Sequence, residues 1–328
     1  MNLLLIMPNF FDYPKQIKLE LEKMGYNVDL FDDRPSTNSI VKAIIKINKN
    51  YINGYINKYF HWIMNTISDT KYDVVLLISG QSLSFSENMI KELRDSQANA
   101  RFILYQWDSQ KNFPYIAKIH KFFDVRYSFD KVDTEQDMYL KFLPLFYTKI
   151  YEEIGKKQQS KYVYDCSYIG TAHPQKYMYI NKMSQELKNV LPKQFIYHYM
   201  PSKLKYLFHK LKDKEYKKAK YKEFESERLS TEQIMDIFKK SKCILDAPQA
   251  GQTGLTIRTI ECLGAKRKLI TTNSDIRNYD FYNESNILVF NESVDLDSVF
   301  FTSEYKDIPK DIYEKYSLRN WLKTMLDE

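Results

Sequence analysis

The sequence predicts an α/β chain made of two consecutive parallel-sheet units, and three observations carry that expectation. Apolar strand-length runs alternate with amphipathic helical segments from the first residues onward, the pattern of β-α-β units. Residues 72–78 include the unbroken run Val74-Val75-Leu76-Leu77-Ile78, which suits a strand covered on both faces. The alternation lapses in a polar stretch, 146–161, and then starts again. A length of 328 residues accommodates two domains, at roughly 100–200 residues each. A hydrophobic content of 44%, with 15% aromatics, provides a core for both and excludes wholesale disorder.

The elements follow in order. Residues 3–7 form a short strand ended by Pro8. Ile17, Leu21 and Met24 mark a helix face, closed by Gly25 at the C′ position. Residues 28–31 form the next strand, and a basic helical window, 34–68, leads to the strand 72–78. Ser79-Gly80-Gln81 ends that strand. A helix at 86–94 precedes a strand at 101–106, which runs out into Trp107-Asp108-Ser109. A helix at 116–122 and a strand at 125–128 complete the first unit. The second opens with a strand at 164–169 and a loop, Gly170-Thr171-Ala172-His173-Pro174. A helix at 175–187 and a strand at 195–199 follow. Ser230 caps a helix with Gln233 as its capping-box partner, and Ile234, Ile237 and Phe238 face the core. A strand at 243–246 leads to a helix at 253–263 with Thr253 as N-cap, stopped by Gly264. Strands at 268–272 and 287–290 come next. A helical pattern over 309–325 places Leu318, Trp321, Leu322 and Met325 on one side. The expected domains are 1–150 and 151–308, with 309–328 as a terminal helical segment.

Several classes are set aside by composition. No apolar run reaches the roughly 18 residues of a membrane span. The start lacks a basic region and a small-residue cleavage site, so no signal peptide is expected. Cys166, Cys243 and Cys262 are odd in number and far apart, which suits a reducing cytosol rather than a disulfide scaffold.

Charge is uneven. The chain carries 49 Lys+Arg against 42 Asp+Glu, a net +7. Between Asp33 and Asp69 there is no acid, while Arg34, Lys42, Lys46, Lys49 and Lys58 are interleaved with Tyr51, Tyr55, Tyr59, Phe60 and Trp62. A second basic block runs over 203–228, and the rest of the chain is slightly acidic. The acid-free, aromatic window 34–68 reads as a surface for anionic lipid headgroups or as a solvated helix face. The second block reads as a charged surface helix with mixed i,i+4 pairs. This distribution makes nucleic acid a minor alternative as partner.

Some chemistries have no motif. The glycines never form G-x-G-x-x-G, there is no P-loop, and the histidines and cysteines lack metal-ligand spacing. No metal is expected, and Asp295-Leu296-Asp297 reads as a surface loop. The informative segment is 243–273, Cys-Ile-Leu-Asp-Ala-Pro-Gln-Ala-Gly-Gln-Thr-Gly-Leu-Thr-Ile-Arg-Thr-Ile-Glu-Cys-Leu-Gly-Ala-Lys-Arg-Lys-Leu-Ile-Thr-Thr-Asn. A buried strand runs through a small-residue turn into a helix. With Gln252 and Thr253 leading in, the backbone N–H groups of Gly254, Leu255 and Thr256 would form an anion site of the diphosphate type. Arg258 and Glu261 share one helix face. They read as a diphosphate ligand and a ribose acceptor, or as a surface ion pair.

This segment, with its Arg-x-x-Glu, Cys-Leu-Gly-Ala and Lys-Leu-Ile-Thr-Thr-Asn, resembles the donor domain of GT-B glycosyltransferases, nearest to the bacterial capsule, exopolysaccharide and lipopolysaccharide branch. The resemblance extends to Tyr168-Ile169-Gly170-Thr171 and to Tyr316-Ser317-Leu318-Arg319-Asn320-Trp321. It implies two Rossmann-like domains facing across a cleft, with a last helix that crosses back to the first. A nucleotide-diphosphate sugar would lie against the second domain and a saccharide or lipid-linked acceptor against the first. Glu261 matches the family glutamate that holds the ribose, and Arg258 matches the arginine of the Arg-x-x-Glu branch. The first of the two glutamates of many retaining members is absent, because Thr253 stands in its place. The stereochemical outcome is therefore open.

Sugar transfer needs a base for the acceptor hydroxyl. Asp108, following a buried strand, and Asp12, in the loop after the first strand, are the candidates, each also readable as a cap or turn residue. Gly80 and Gln81, at another strand end, suit the transferred sugar. His173 reads as a phosphate or sugar contact or as a loop histidine. The expectation is a cytosolic, metal-independent glycosyltransferase, peripheral on the inner membrane face through 34–68. The rivals are a nucleotide-sugar epimerase on the same fold and a non-catalytic nucleotide- or nucleic-acid-binding protein.

Overall fold

A computed structural model describes the whole chain except residues 39, 40, 42, 43, 46, 47, 158–160, 250, 251, 292–294 and 328. The chain divides into two compact units: Met1–Pro144 with Leu322–Glu328, and Leu145–Trp321.

The first unit is a six-stranded parallel sheet. Its strands are β1 (Asn2–Ile6), β2 (Asn27–Phe31), β3 (Val74–Ser79), β4 (Arg101–Gln106), β5 (Val125–Ser128) and β6 (Leu140–Phe142). Their order is β2-β1-β3-β4-β5-β6, and every pairing is parallel. Register places Leu3 beside both Val28 and Val74. Alternate strand residues Leu4, Ile6, Val75, Leu77, Phe102 and Leu104 point to one face. There they meet Ile56, Phe60, Ile63 and Ile67 of the helix Asn53–Ile67 and Ile90 and Leu93 of the helix Glu87–Ser96. The period of two on the strands and of 3.6 on the helices is what lets the two apolar surfaces meet. The helix Tyr13–Lys23 ends with Gly25 at a φ of 95°, the left-handed C′ residue that sequence predicts.

The second unit is a five-stranded parallel sheet of order β11-β10-β9-β7-β8. It consists of β7 (Tyr164–Thr171), β8 (Gln194–Tyr199), β9 (Ser241–Asp246), β10 (Lys268–Thr271) and β11 (Ile287–Val289). Cys166, Tyr168, Cys243, Leu245 and Ile270 pack against Ile180, Met183 and Leu187 of the helix Pro174–Glu186 and its end. All three cysteines are buried free thiols. Ser230 and Gln233 form the expected capping box.

Three local expectations are corrected. The stretch 146–161 contains a helix, Lys149–Lys156, whose Tyr151 and Ile154 are buried, and Phe146 and Tyr147 are buried before it. Its apolar residues recur at helical spacing, and the intervening charges hid them. β7 extends to Thr171, so Gly170 and Thr171 are strand rather than loop. The helix placed at 253–263 runs Ile257–Gly264 with Thr256 as N-cap, because the Thr256 hydroxyl accepts from Thr259 N–H at 3.2 Å. The helix does stop at Gly264, without a left-handed φ there. A Cβ there would lie 2.5 Å from the Tyr147 ring, and Lys266 takes the positive φ instead. Close packing is the reason for that glycine.

In the window 34–68, the helix Asn53–Ile67 buries its apolar stripe while Tyr51, Tyr55 and Trp62 are exposed. Lys42 and Lys46 lie outside the described residues. Among the described residues no helix is long and apolar enough to cross a membrane. The terminal helix Leu318–Leu326 starts in the second unit, and its last residues belong to the first. There Arg101 donates to the Leu326 carbonyl at 3.0 Å.

Candidate active site

In an open parallel sheet, ligands bind beyond the C-terminal strand ends, where the strand order reverses. In the first unit that point lies between β1 and β3. The loops leaving these strands carry Asp12, Gly80 and Gln81, and the loop leaving β4 carries Asp108. The structure brings three of them together. Asp108 accepts from Gln81 N–H through Oδ2 at 2.8 Å. A Cβ on Gly80 would sit 2.2 Å from that same oxygen, so the carboxylate lies flat against the glycine backbone. Gln81 Nε2 reaches the Asn112 carbonyl at 3.2 Å. Asp12 occupies the N-cap position of its helix without a side-chain cap bond, and its carbonyl accepts from Gln16 N–H.

Aromatic rings line the same edge. Phe10 and Phe11 are exposed and meet edge to face at 4.6 Å. Phe10 stacks over Tyr13, and Tyr13 meets Trp107 at 5.9 Å. Phe11 holds a φ of 50°, a strained setting for a non-glycine residue and one that clusters at functional sites.

Sequence reasoning passed over the carboxylates after β2. Asp33 is fully buried. Its Oδ2 accepts from the Ser79 and Ser82 hydroxyls, both at 2.5 Å, and its carbonyl accepts from the Ser84 hydroxyl at 2.8 Å. Burial pushes its pKa up to about 7, against the opposing serine hydrogen bonds and with a smaller push from Asp32. Asp32 is raised as well, chiefly by burial, and Arg34 stands 3.6 Å from it. The signal was a charge run, Asp32-Asp33-Arg34, directly after a buried strand.

In the second unit the strand order reverses between β7 and β9. Asp246, the last residue of β9, is buried and accepts from the Thr256 and Thr259 hydroxyls. Lys176 places its Nζ 3.8 Å from Asp246 Oδ1. Burial pushes the Lys176 ammonium down, Asp246 opposes that, and Arg258 adds to it. Arg258 lies 2.7 Å from Glu261 and over the Phe238 ring. Burial, then the charge of Glu261, drives the Tyr151 hydroxyl well above its ordinary range. The buried Tyr168 hydroxyl has no hydrogen-bond partner among the described residues, and a Cβ on Gly170 would meet it at 2.3 Å.

Arg258 and Glu261 thus come together as a pair that is largely withdrawn from solvent, Glu261 being 3% exposed. Thr253 is exposed, with its carbonyl accepting from Asn273 at 2.9 Å, whereas Gly254 and Leu255 are buried. Gln252 donates to the Gly254 carbonyl at 2.9 Å, which shapes the turn. Thr171 ends β7, and His173 sits at the N-cap position of its helix without a side-chain cap bond. Lys176 and Asp246 were missed. Lys176 stands in the first turn of a helix, where the helix dipole disfavours a cation, and that misfit was the legible signal.

No family model matches the sequence, and no curated protein matches it. Solved structures do match. HepE from Anabaena, in complex with UDP and glucose, is 10% identical with a TM-score of 0.56, and the alignment covers 100% of both chains. The apo lipopolysaccharide outer core galactosyltransferase WaaB is 11% identical with a TM-score of 0.50, over 100% of this chain and 99% of that one. UDP-GlcNAc 2-epimerase from Neisseria meningitidis, bound to UDP-GlcNAc, is 11% identical with a TM-score of 0.52, over the same shares. At such identities the likeness establishes the fold: the chain has the two parallel-sheet, Rossmann-like domains of GT-B glycosyltransferase structures.

Proposed function

We propose that the chain is a cytoplasmic glycosyltransferase that moves a sugar from a nucleotide-diphosphate sugar to a saccharide or lipid-linked acceptor in bacterial surface-polysaccharide synthesis. The observation that carries the reading is the pairing of Lys176 with Asp246, within electrostatic reach of Arg258, where the second sheet reverses its strand order. Lys176 faces Asp246 and Arg258 faces Glu261, and in this reading a diphosphate shares both cations with those carboxylates. A diphosphate adds negative charge that favours the Lys176 ammonium, which burial disfavours. The fold and the UDP bound by the HepE neighbour support the same assignment.

In this reading the acceptor hydroxyl oxygen bonds to the anomeric carbon as the carbon–oxygen bond to the diphosphate breaks. The bonding pair leaves on the diphosphate, where Lys176 and Arg258 meet the developing charge without a metal ion. The hydroxyl proton passes to Asp108, which the Gln81 N–H holds in place, with Asp12 as the competing base. The exposed Phe10 and Phe11 rings, backed by Tyr13 and Trp107, offer apolar faces to a sugar ring on the same sheet edge, which favours a saccharide acceptor. Work at a membrane surface belongs to this reading.

The test is a thermal-shift screen of nucleotide-sugars followed by calorimetry. A donor raises the melting temperature, since a ligand that binds only the folded state stabilises it. Lys176→Gln then weakens that donor by about tenfold or more, the value of a charge-assisted hydrogen bond. A screen with no stabilising nucleotide-sugar overturns the proposal. The epimerase neighbour motivates a second reading. Conversion of the donor to its epimer without any acceptor would establish that reading instead.

A further inference from the structure

The helix Lys203–Lys212 is bound to the second unit by one face only. Tyr206 is buried and donates to the Ala219 carbonyl at 2.8 Å. Beneath it Tyr216, Phe224 and Tyr177 form a small aromatic core, and Tyr216 donates to the Ala172 carbonyl at 2.6 Å. Lys210 reinforces the anchor with a 2.8 Å bond to the Ala219 carbonyl. The helix is therefore held in one rotation.

That rotation presents an apolar stripe to solvent. Leu204 is 80% exposed, Leu207 43%, Phe208 58% and Leu211 87%. Their i, i+3, i+4, i+7 spacing puts them on a single face, opposite Tyr206. The helix carries four lysines and no acid. At 3.6 residues per turn, Lys203 and Lys210 fall on one flank of the stripe and Lys205 and Lys212 on the other. Lys212 lies over the Phe208 ring at 5.4 Å. Exposed Lys214, Lys217, Lys218, Lys220 and Lys222 continue the basic surface just beyond it. The charged surface helix with mixed i,i+4 pairs expected from sequence is thus an apolar stripe edged by cations.

We propose that this helix is an interfacial anchor, and that its stripe inserts into the surface of an anionic lipid bilayer. Charge complementarity selects that occupant. Lysines on both flanks, with no acid between them, place positive charge at headgroup depth when Leu204, Phe208 and Leu211 enter the acyl boundary. A second copy would bring the same cations against these, and like charges facing across a self-contact repel. In the window 34–68, by contrast, the helix turns its apolar stripe into the core. The exposed apolar stripe edged by lysines is thus the one on Lys203–Lys212, and the proposal places the membrane contact there. This inference needs no sugar transfer, so it and the proposed activity can fail separately.

The experiment is co-sedimentation of the full chain with phosphatidylcholine vesicles, with and without about one third phosphatidylglycerol. The chain binds the anionic vesicles only, and binding falls as salt shortens the screening length. Leu204→Ser, Phe208→Ser and Leu211→Ser together lower the partition coefficient by about tenfold or more. Lys203→Gln and Lys212→Gln lower it by about fivefold each. Because these side chains are exposed, melting temperatures stay near that of the wild type. Tyr51→Ser with Lys58→Gln, in the first basic window, leaves binding intact. The proposal is overturned if the wild type ignores anionic vesicles, if the triple variant binds unchanged, or if the first-window variant is the one that loses binding. A concentration-dependent dimer without vesicles, lost in the triple variant, would give the stripe to a second copy and also overturn it.

Discussion

At the C-terminal edge of the second sheet, two buried carboxylates stand against cations: Asp246 against Lys176, and Glu261 against Arg258. At the same edge of the first sheet, Asp33 is buried among serine hydroxyls, and Asp108 rests on a glycine backbone and an amide N–H. The two edges therefore respond to perturbation in different ways. A cation-paired carboxylate depends on its partner, since removing the partner strands a charge out of water. Burial holds Asp33 nearer its protonated form against the opposing serine hydrogen bonds, so its behaviour follows pH.

The largest expected effect tests the paired edge. Arg258→Ala leaves Glu261 buried beside Tyr151 without that cation, and should cost about 3–5 kcal/mol of stability. Chemical denaturation measures it, and adding Glu261→Gln should recover part of the loss. An unchanged midpoint would show that Arg258 is held for a ligand rather than for Glu261, and the contrast between the edges would weaken. Next comes Gly80→Ala on the neutral edge. The new methyl group would displace the Asp108 carboxylate, and misplacement by about 1 Å costs on the order of a hundredfold in turnover. Steady-state kinetics with a saturating donor would show it as a fall in kcat, while donor affinity holds. A variant with full turnover removes Asp108 as the base and leaves Asp12.

The smallest effect is a pH slope. Asp33 goes from a model-compound value of 3.8 to about 7 on folding. The folded state then binds the extra proton between those values. The stability contributed by this group is complete below the unfolded pKa and is lost as pH rises through about 7. Asp33→Asn should remove this slope of at most one proton, measured by denaturation midpoints from about pH 5 to about pH 8. A slope that survives the substitution would assign the titration to another group, with Asp32 the nearest.

The strands were legible because a buried parallel strand must be apolar on both faces, so residues 74–78 and 243–245 announce themselves. Helices are harder to read where charge interrupts the pattern, and Lys149–Lys156 reads as part of a polar stretch although Tyr151 and Ile154 keep helical spacing. The site was half legible. Asp108, Gly80 and Gln81 follow from their places at strand ends, and they meet in the structure. Lys176 and Asp246 lie seventy residues apart, and only the pairing of β7 with β9 brings their loops together. The basic block 203–228 reads as a charged surface helix, and its charge does not reveal which face of Lys203–Lys212 is covered.

Taken alone, the amino-acid order determined the fold class, the two units and the segment that leads into the helix at Ile257. Those properties are local: apolar period, turn residues and strand length are written within a few consecutive positions. Tertiary structure alone decided which charges pair, which carboxylate loses its water and which apolar stripe faces solvent. Each depends on groups that sequence keeps far apart, and the energy of a charge or an apolar side chain is set by what surrounds it in space.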